Sequence, residues 1–305
     1  MNRNNILLLG GDGFIGSALA RQLSEGGYQV HVVSRHLQES TDYKNCSRYK
    51  GNLADTGLIT ELLPTCETIV RLASRTSPGV SARRPSLEAE LNIRPTLQFL
   101  QLLSNYDNKH LIFISSGGTL YGNPKKIPAS EDMALQPLSY HGAGKLAIET
   151  FLGTFAHLSG HRVTIVRPSN VYGPGQHFQS GFGVIRTILE HLRNDSEMEI
   201  WGDGTIVRDF LYIDDIARAL ETLIRAEHPR RIYNVGTGRG YSLMDVIGII
   251  EAVSGRKLKT RHVSNRLVDV QAIVLDASCL KQDTGWTPTV SLEEGIQITW
   301  NWLNS

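Results

Sequence analysis

One stretch near the amino end, Leu7-Leu8-Leu9-Gly10-Gly11-Asp12-Gly13-Phe14-Ile15-Gly16, constrains this chain more than any other. A short apolar run ends in glycines spaced three apart, and Leu19, Ala20 and Leu23 follow at helical spacing. The pattern spells a strand, a tight turn and a helix. Glycines let the backbone turn sharply and approach a ligand closely, while unpaired N–H groups at the helix start attract a pyrophosphate. A glycine-rich structural turn shares the composition. Placement inside a strand–helix–strand unit points instead to dinucleotide binding.

Strand-like runs recur at 6–9, 29–33, 68–72, 111–115 and 162–167, separated by helical patterns near 15–24, 56–62, 87–103 and 142–158. Alternation of this kind, with nearly continuous apolar strands, predicts a parallel sheet covered on both faces. The expected fold class is α/β: a Rossmann-type doubly wound parallel sheet with a smaller mixed α/β C-terminal substrate lobe. Residues 1–168 plus about 206–235 are expected to form the cofactor domain, and about 169–205 plus 236–305 the substrate lobe. Runs at 207–213 and 231–235 read as strands that rejoin the sheet or edge the second lobe. Ser242 and Ser291 are predicted to cap helices, Ser291 in a capping box with Glu294.

Net charge is +1, and no basic tract or aromatic-studded basic stripe is present, so no nucleic-acid partner is expected. The apolar run after Asn5 is far too short for a signal peptide or a membrane span. Cys46, Cys66 and Cys279 are scattered and lack metal-type spacing. A reduced, cytoplasmic protein without a metal or membrane partner is expected.

The end of the second strand discriminates between nicotinamide cofactors, an acid favouring the ribose hydroxyls of NAD(H) and a cation the 2′-phosphate of NADP(H). Here it reads Ser34-Arg35-His36, with no carboxylate. Arg35 can fork onto a phosphate with Ser34 donating beside it, so NADP(H) is preferred and NAD(H) remains possible. Asn52, followed by Leu53, can present both amide functions to an adenine edge, whereas Asp55 is expected to cap the next helix. Leu72, Ala73 and Ser74 are placed along the pyrophosphate and ribose, with Arg71 read as a surface residue.

Further strings occur in order: Ile114-Ser115-Ser116-Gly117-Gly118-Thr119-Leu120-Tyr121-Gly122, Arg167-Pro168-Ser169-Asn170-Val171-Tyr172-Gly173-Pro174-Gly175, Trp201-Gly202-Asp203-Gly204, Arg208-Asp209-Phe210-Leu211-Tyr212-Ile213-Asp214-Asp215 and Tyr233-Asn234-Val235-Gly236-Thr237-Gly238. Together with the glycine turn they resemble the extended short-chain dehydrogenase/reductase family, in particular its nucleotide-sugar epimerases, dehydratases and 4-ketoreductases. The resemblance covers nearly the whole chain. It implies cofactor contacts at Gly10, Gly13, Phe14, Ile15 and Gly16, and at Lys145 and Arg167. It also implies substrate contacts at Asn170, Arg208, Arg266 and Asp269, the last two forming an Arg-x-x-Asp pair near a nucleoside ribose.

The catalytic positions depart from the family pattern. The family sets a Tyr four residues before a Lys, about one helical turn, so that the ammonium lowers the phenol pKa. This chain reads Ser139-Tyr140-His141-Gly142-Ala143-Gly144-Lys145, which puts His141 at the Tyr position and Tyr140 one residue out of register. Three explanations stand open: His141 is the acid/base, Tyr140 reaches the site through an irregular helix start, or the site is damaged and only binds ligands. The family's Ser or Thr beside the sugar carbonyl falls on Gly117; Ser116 and Thr119 flank it and can donate instead, while Ser115 is expected to bond backbone.

The activity these features imply is hydride transfer at C4 of a nucleoside-diphosphate hexose, as a 4-ketoreductase in preference to a 4-epimerase. A dehydratase fits less well, because the family form carries an Asp-Glu pair where this chain has Gly118 and Thr119. A catalytically impaired ligand-binding protein of the same fold is the reading from another class. Pairing of the helical patterns at 87–103 and 142–158 across a two-fold, through Leu91, Thr96, Leu100, Ala147, Phe151 and Phe155, implies a homodimer.

Overall fold

The glycine turn forms as a strand, a tight bend and a helix. The computed structural model describes residues 5–37, 43–179, 182–225, 227, 230–264 and 270–305. In chain order the first elements are β1 (Asn5–Leu9), α1 (Phe14–Glu25), β2 (Gln29–Ser34), β3 (Cys46–Lys50), α2 (Thr56–Leu62), β4 (Thr68–Arg71), α3 (Pro78–Arg83) and α4 (Ser86–Glu88). A π-helical turn, Ala89–Ile93, leads into α5 (Arg94–Leu103), β5 (His110–Ile114), α6 (Gly117–Leu120), α7 (Tyr140–Ser159) and β6 (Arg162–Pro168). Then come β7 (Asn170–Tyr172), α8 (Val184–Arg193), β8 (Met198–Trp201), β9 (Val207–Arg208), β10 (Phe210–Tyr212), α9 (Ile213–Arg225) and β11 (Ile232–Val235). The chain closes with β12 (Tyr241–Ser242), α10 (Leu243–Ser254), β13 (Thr260–Val263), β14 (Ala272–Ile273), α11 (Ser278–Thr284) and α12 (Leu292–Asn304).

The main sheet has seven strands in the order β3-β2-β1-β4-β5-β6-β11. Strands β3 through β6 in that order pair in parallel. The chain order reverses between β1 and β4, which opens the crevice beyond their C-terminal ends where such sheets bind ligands. One face of the sheet buries Leu7, Leu9, Ile69 and Phe113 against Phe99, Leu103, Ile148 and Leu152 of α5 and α7. The apolar runs of the inner strands β1, β4 and β5 are thereby explained, because they are buried on both faces, whereas the edge strand β3 is polar and partly exposed.

Two compact units result. The first comprises Met1–Ser116, Ser139–Arg167 and Ala217–Tyr233; the second comprises Gly117–Leu138, Pro168–Ile216 and Asn234–Ser305. The run at 207–213 splits into β9 and β10, which pair in small sheets of the second unit, with β12 and β14 and with β7 respectively. Only the 231–235 run, as β11, joins the main sheet.

Local signals set several boundaries. Ser242 caps α10 in a full capping box closed by Asp245, and Ser291 accepts from Glu294 N at the start of α12. Asp55 caps α2 by accepting from Leu58 N. The single helix expected over 87–103 is interrupted by the π turn. Pro95 stands two residues beyond it: the ring supplies no N–H and crowds the carbonyl four residues back, that of Leu91 within the turn, so the coil widens there.

Candidate active site

At the end of β1 the backbone enters Gly10 at φ +91°, a conformation side chains disfavour, and a Cβ there would lie 2.8 Å from Ala73 N. A Cβ at Gly11 would strike Val32, and one at Gly16 would collide with Gly10 O. The turn therefore packs β1, β4 and α1 together only with glycines. Helix α1 starts at Gly13 with no side-chain cap and no acid in its first turn, so its leading N–H groups stay available to an anion. These residues fit a dinucleotide pyrophosphate.

At the end of β2, Ser34 is buried and its hydroxyl accepts from Asp12 N at 3.0 Å, while Arg35 is exposed. Arg48 on β3 holds the Asp12 carboxylate at 2.6 Å. Asn52 folds its Oδ1 onto Ala54 N, Leu53 packs against the core, and Ser74 is exposed beyond β4. Arg167 is gripped by Glu149, with Nη2 2.7 Å from Oε2 and Nε 3.2 Å from both oxygens. Arg71, expected at the surface, is instead 2 % exposed: it lies over the Phe113 ring, its Nη2 donates to Asn92 O, and its Nε and Nη1 have no hydrogen-bond partner among the described residues.

The register of α7 is fixed by Ser139, whose side chain accepts from Gly142 N, so the segment is helical from Tyr140 onward. His141 and Lys145 therefore stand one turn apart on the buried face, while Tyr140 is 56 % exposed. Lys145 Nζ donates to Ile114 O at 2.8 Å and sits over Phe113. Burial, reinforced by the Arg71 charge, pulls the ammonium down to about 7 against the opposing pull of Glu88 and Glu149.

Around His141 the structure assembles side chains that sequence reasoning did not single out. Its Nδ1 lies 3.2 Å from Glu88 Oε1 and 3.2 Å from Thr76 Oγ1. Glu88 is buried and also takes the Ser81 hydroxyl and Asn92 Nδ2, the latter at 2.8 Å. Asn92 Nδ2 also reaches Thr76 Oγ1 at 2.7 Å, and its Oδ1 accepts from Arg75 N. Burial pushes the Glu88 carboxyl up, but bonds from Ser81, Thr76 and Asn92, with the His141 charge, hold it below its ordinary value. Burial first and Lys145 second depress His141, against the charge and hydrogen bond of Glu88. The available signal was a Glu and an Asn four apart in an otherwise amphipathic pattern, and an Arg ending an apolar strand.

In the second unit, a Cβ on Gly117 would collide with the Leu275 side chain. Thr119 Oγ1 is buried without a hydrogen-bond partner among the described residues, and Ser116 is half-buried. Ser115, expected to bond backbone, does so through its amide, to Val166 O, while its hydroxyl is buried with no hydrogen-bond partner among the described residues. Asn170 Oδ1 lies 3.5 Å from where a Gly118 Cβ would stand. Arg208, on β9, donates to Val207 O. Arg266 and Asp269 lie outside the described residues.

The profile of the NAD dependent epimerase/dehydratase family matches residues 6–236. The chain belongs to this family. Among its relatives, a UDP-glucose 4-epimerase of Mycolicibacterium smegmatis is 31 % identical, with 96 % of each chain covered. A dTDP-4-dehydro-6-deoxyglucose reductase of Escherichia coli is also 31 % identical over 96 % of each. The solved UDP-glucose 4-epimerase of Thermus thermophilus in complex with NAD superposes with a TM-score of 0.91 at 28 % identity, covering 99 % of both chains.

Proposed function

We propose that the protein is a nicotinamide-dependent enzyme acting at C4 of a nucleotide-activated hexose, with 4-ketoreduction preferred over 4-epimerisation. The observation that carries this reading is the pairing of Lys145 with an imidazole, His141, on one buried helix face in the unit that holds the glycine turn. Bound nicotinamide supplies or receives the hydride at C4. His141 supplies or takes the proton of the C4 oxygen, and Lys145 keeps a cationic donor beside it. Thr119, with its unpartnered hydroxyl, is the donor we assign to the sugar carbonyl, ahead of Ser116. The first unit serves the cofactor; the second, through Asn170, Arg208, Arg266 and Asp269, serves the nucleoside diphosphate.

NADP(H) is the cofactor we propose. Support comes from the absence of an acid at the tip of β2, from Arg35 exposed there, and from Arg48 neutralising Asp12. A homodimer is proposed from α5 and α7, where Leu97, Phe151 and Leu158 are exposed. Thr96 and Leu100 face the protein's own core and leave that interface. Light scattering at micromolar concentration giving a monomer mass would remove the dimer. The cytoplasm is the compartment we propose, from the free cysteines.

The epimerase reading draws on the relatives' activities and is separated by one assay. A nucleotide-4-ketosugar is offered with NADPH or NADH, and nicotinamide absorbance is followed; the C4 epimers of UDP-hexoses are quantified in parallel. Stoichiometric cofactor oxidation supports the reductase, and epimer exchange without net oxidation supports the epimerase. Neither reaction, with cofactor bound, would make the chain a binding protein.

A further inference from the structure

The buried cluster around His141 has a consistent proton inventory. Asn92 Nδ2 donates to Glu88 Oε2 and to Thr76 Oγ1, and the Ser81 hydroxyl donates to Glu88 Oε1. Glu88 is held ionised and can only accept. The carboxylate has no proton to offer His141 Nδ1, so the hydrogen between them belongs to Nδ1. In the neutral ring, Nε2 is left with its lone pair.

The backbone sets up this arrangement. Glu88 closes α4, and the π turn Ala89–Ile93 begins at the next residue. Both Glu88 and Asn92 are thereby turned inward, and a Cβ on Gly144 would meet Glu88 Oε2 at 2.8 Å. Helix α7 can seat His141 against this carboxylate only because a glycine precedes Lys145. π turns recur at functional sites.

We propose that Glu88, set by the π turn and braced by Ser81, Thr76 and Asn92, is the positioning residue that fixes His141 in its Nδ1–H tautomer and makes Nε2 the proton-exchanging atom. The inference rests on the reading of His141 as the acid/base residue. In reduction, the C4 carbonyl gains a hydride from the reduced nicotinamide at carbon and the Nε2 proton at oxygen, giving the alcohol. The ring is left neutral, with Nδ1–H still on Glu88. Oxidation runs the same transfers backwards. Glu88 thus replaces the phenol–ammonium pairing of the usual family site with a carboxylate–imidazole pairing, and Lys145 stays as the neighbouring cation. The charged groups facing this pair are Lys145 on α7, with Arg71 on β4 and Glu149 on α7 facing Lys145 in turn.

The test uses the full chain with ¹⁵N-labelled histidine. In wild-type protein the His141 resonances are expected to show the Nδ1–H tautomer, and an Nε2–H tautomer overturns the proposal without touching the functional reading. Glu88→Gln keeps the shape but removes the charge, so the His141 titration should move to lower pH by about one unit and kcat for reduction should fall about tenfold with KM unchanged. In the His141→Tyr background the same substitution should cost only about twofold, since the group it acts through is gone. Equal losses in both backgrounds, or an unmoved titration, assign Glu88 a packing role and overturn the proposal. Should Glu88→Gln fail to fold, the wild-type tautomer decides alone. Absence of turnover with every nucleotide-4-ketosugar, alongside an Nδ1–H ring that responds to Glu88→Gln, would instead sink the functional reading.

Discussion

Two buried carboxylates, Asp209 in the second unit and Glu88 in the first, solve the same electrostatic problem in opposite ways. Asp209 is 1 % exposed and is fed mostly by backbone: Thr237 N, Gly238 N and Leu275 N, with the Thr237 hydroxyl. Glu88 is fed by the side chains of Ser81, Asn92 and His141, the last an imidazole. Burial raises the Asp209 carboxyl, with Thr237, Leu275 and Gly238 opposing it; at Glu88 the opposing donors win. A carboxylate holding amides ties loops together, as Asp215 also does through Thr289 N and Val290 N. One holding an imidazole governs a proton. Burial of an acid therefore says little about function until its donors are known.

The sharpest way to break this contrast is at His141. His141→Phe should lower turnover by about 10²–10⁴-fold and leave dinucleotide affinity nearly unchanged, because the pyrophosphate site lies at the glycine turn. Loss of activity in Tyr140→Phe with His141→Phe fully active would return the role to the exposed Tyr140. For wild type, reduction needs the imidazolium, so its rate should decline as pH rises through a His141 pKa lying below the ordinary histidine value.

On the structural side, Asp209→Ala leaves several buried amides without an acceptor and should cost about 3–5 kcal/mol of stability by denaturant titration. Glu88→Gln keeps one acceptor oxygen but turns an NH2 toward one of its donors, and should cost about 1–3 kcal/mol. If the two stability costs were equal, the distinction between tying a loop and tuning a ring would collapse.

Cofactor choice is a smaller effect. Arg35→Ala should weaken NADP(H) about ten- to a hundredfold with little change for NAD(H), measured by titration of each cofactor. Equal wild-type affinities for the two would end the NADP(H) proposal.

A further test is the pH dependence of stability. Lys145 is depressed to about 7, below its ordinary 10.5. Between these values the unfolded chain binds more protons, so folded stability should rise with pH across roughly 7 to 10.5. The slope from this one group approaches about 1.4 kcal/mol per pH unit. Stability–pH profiles of apo wild type and Lys145→Met should diverge in that window; parallel profiles would mean that the ammonium is not held in a low-dielectric site.

Much of the scaffold was legible because its rules are local. Gly10, Gly13 and Gly16 gave the turn, the apolar runs gave the parallel strands, and Ser242 and Asp55 announced helix starts. The 87–103 pattern misleads because periodicity does not register a π turn, although Pro95 marks the place. At the site, the four-residue spacing of His141 and Lys145 could be counted, but its meaning depended on whether α7 was already helical at Tyr140. Thr96 and Leu100 satisfied an interface pattern and an internal one equally; packing assigned them to the interior.

What the sequence by itself determined is the strands β1, β2, β4, β5 and β6, the glycine turn and the four-residue spacing of His141 and Lys145, since each depends on residues within a few positions of one another. Tertiary structure alone decided that Glu88 meets His141 across 53 residues of chain, that Arg71 is buried over Phe113, and that Gly117 yields its space to Leu275. Those contacts arise from how α3, α4 and the π turn pack against α7, and from which loop fills a gap. The physical reason is that helix and strand periodicities fix which face a side chain occupies, whereas its partner is set by the packing of elements remote in sequence.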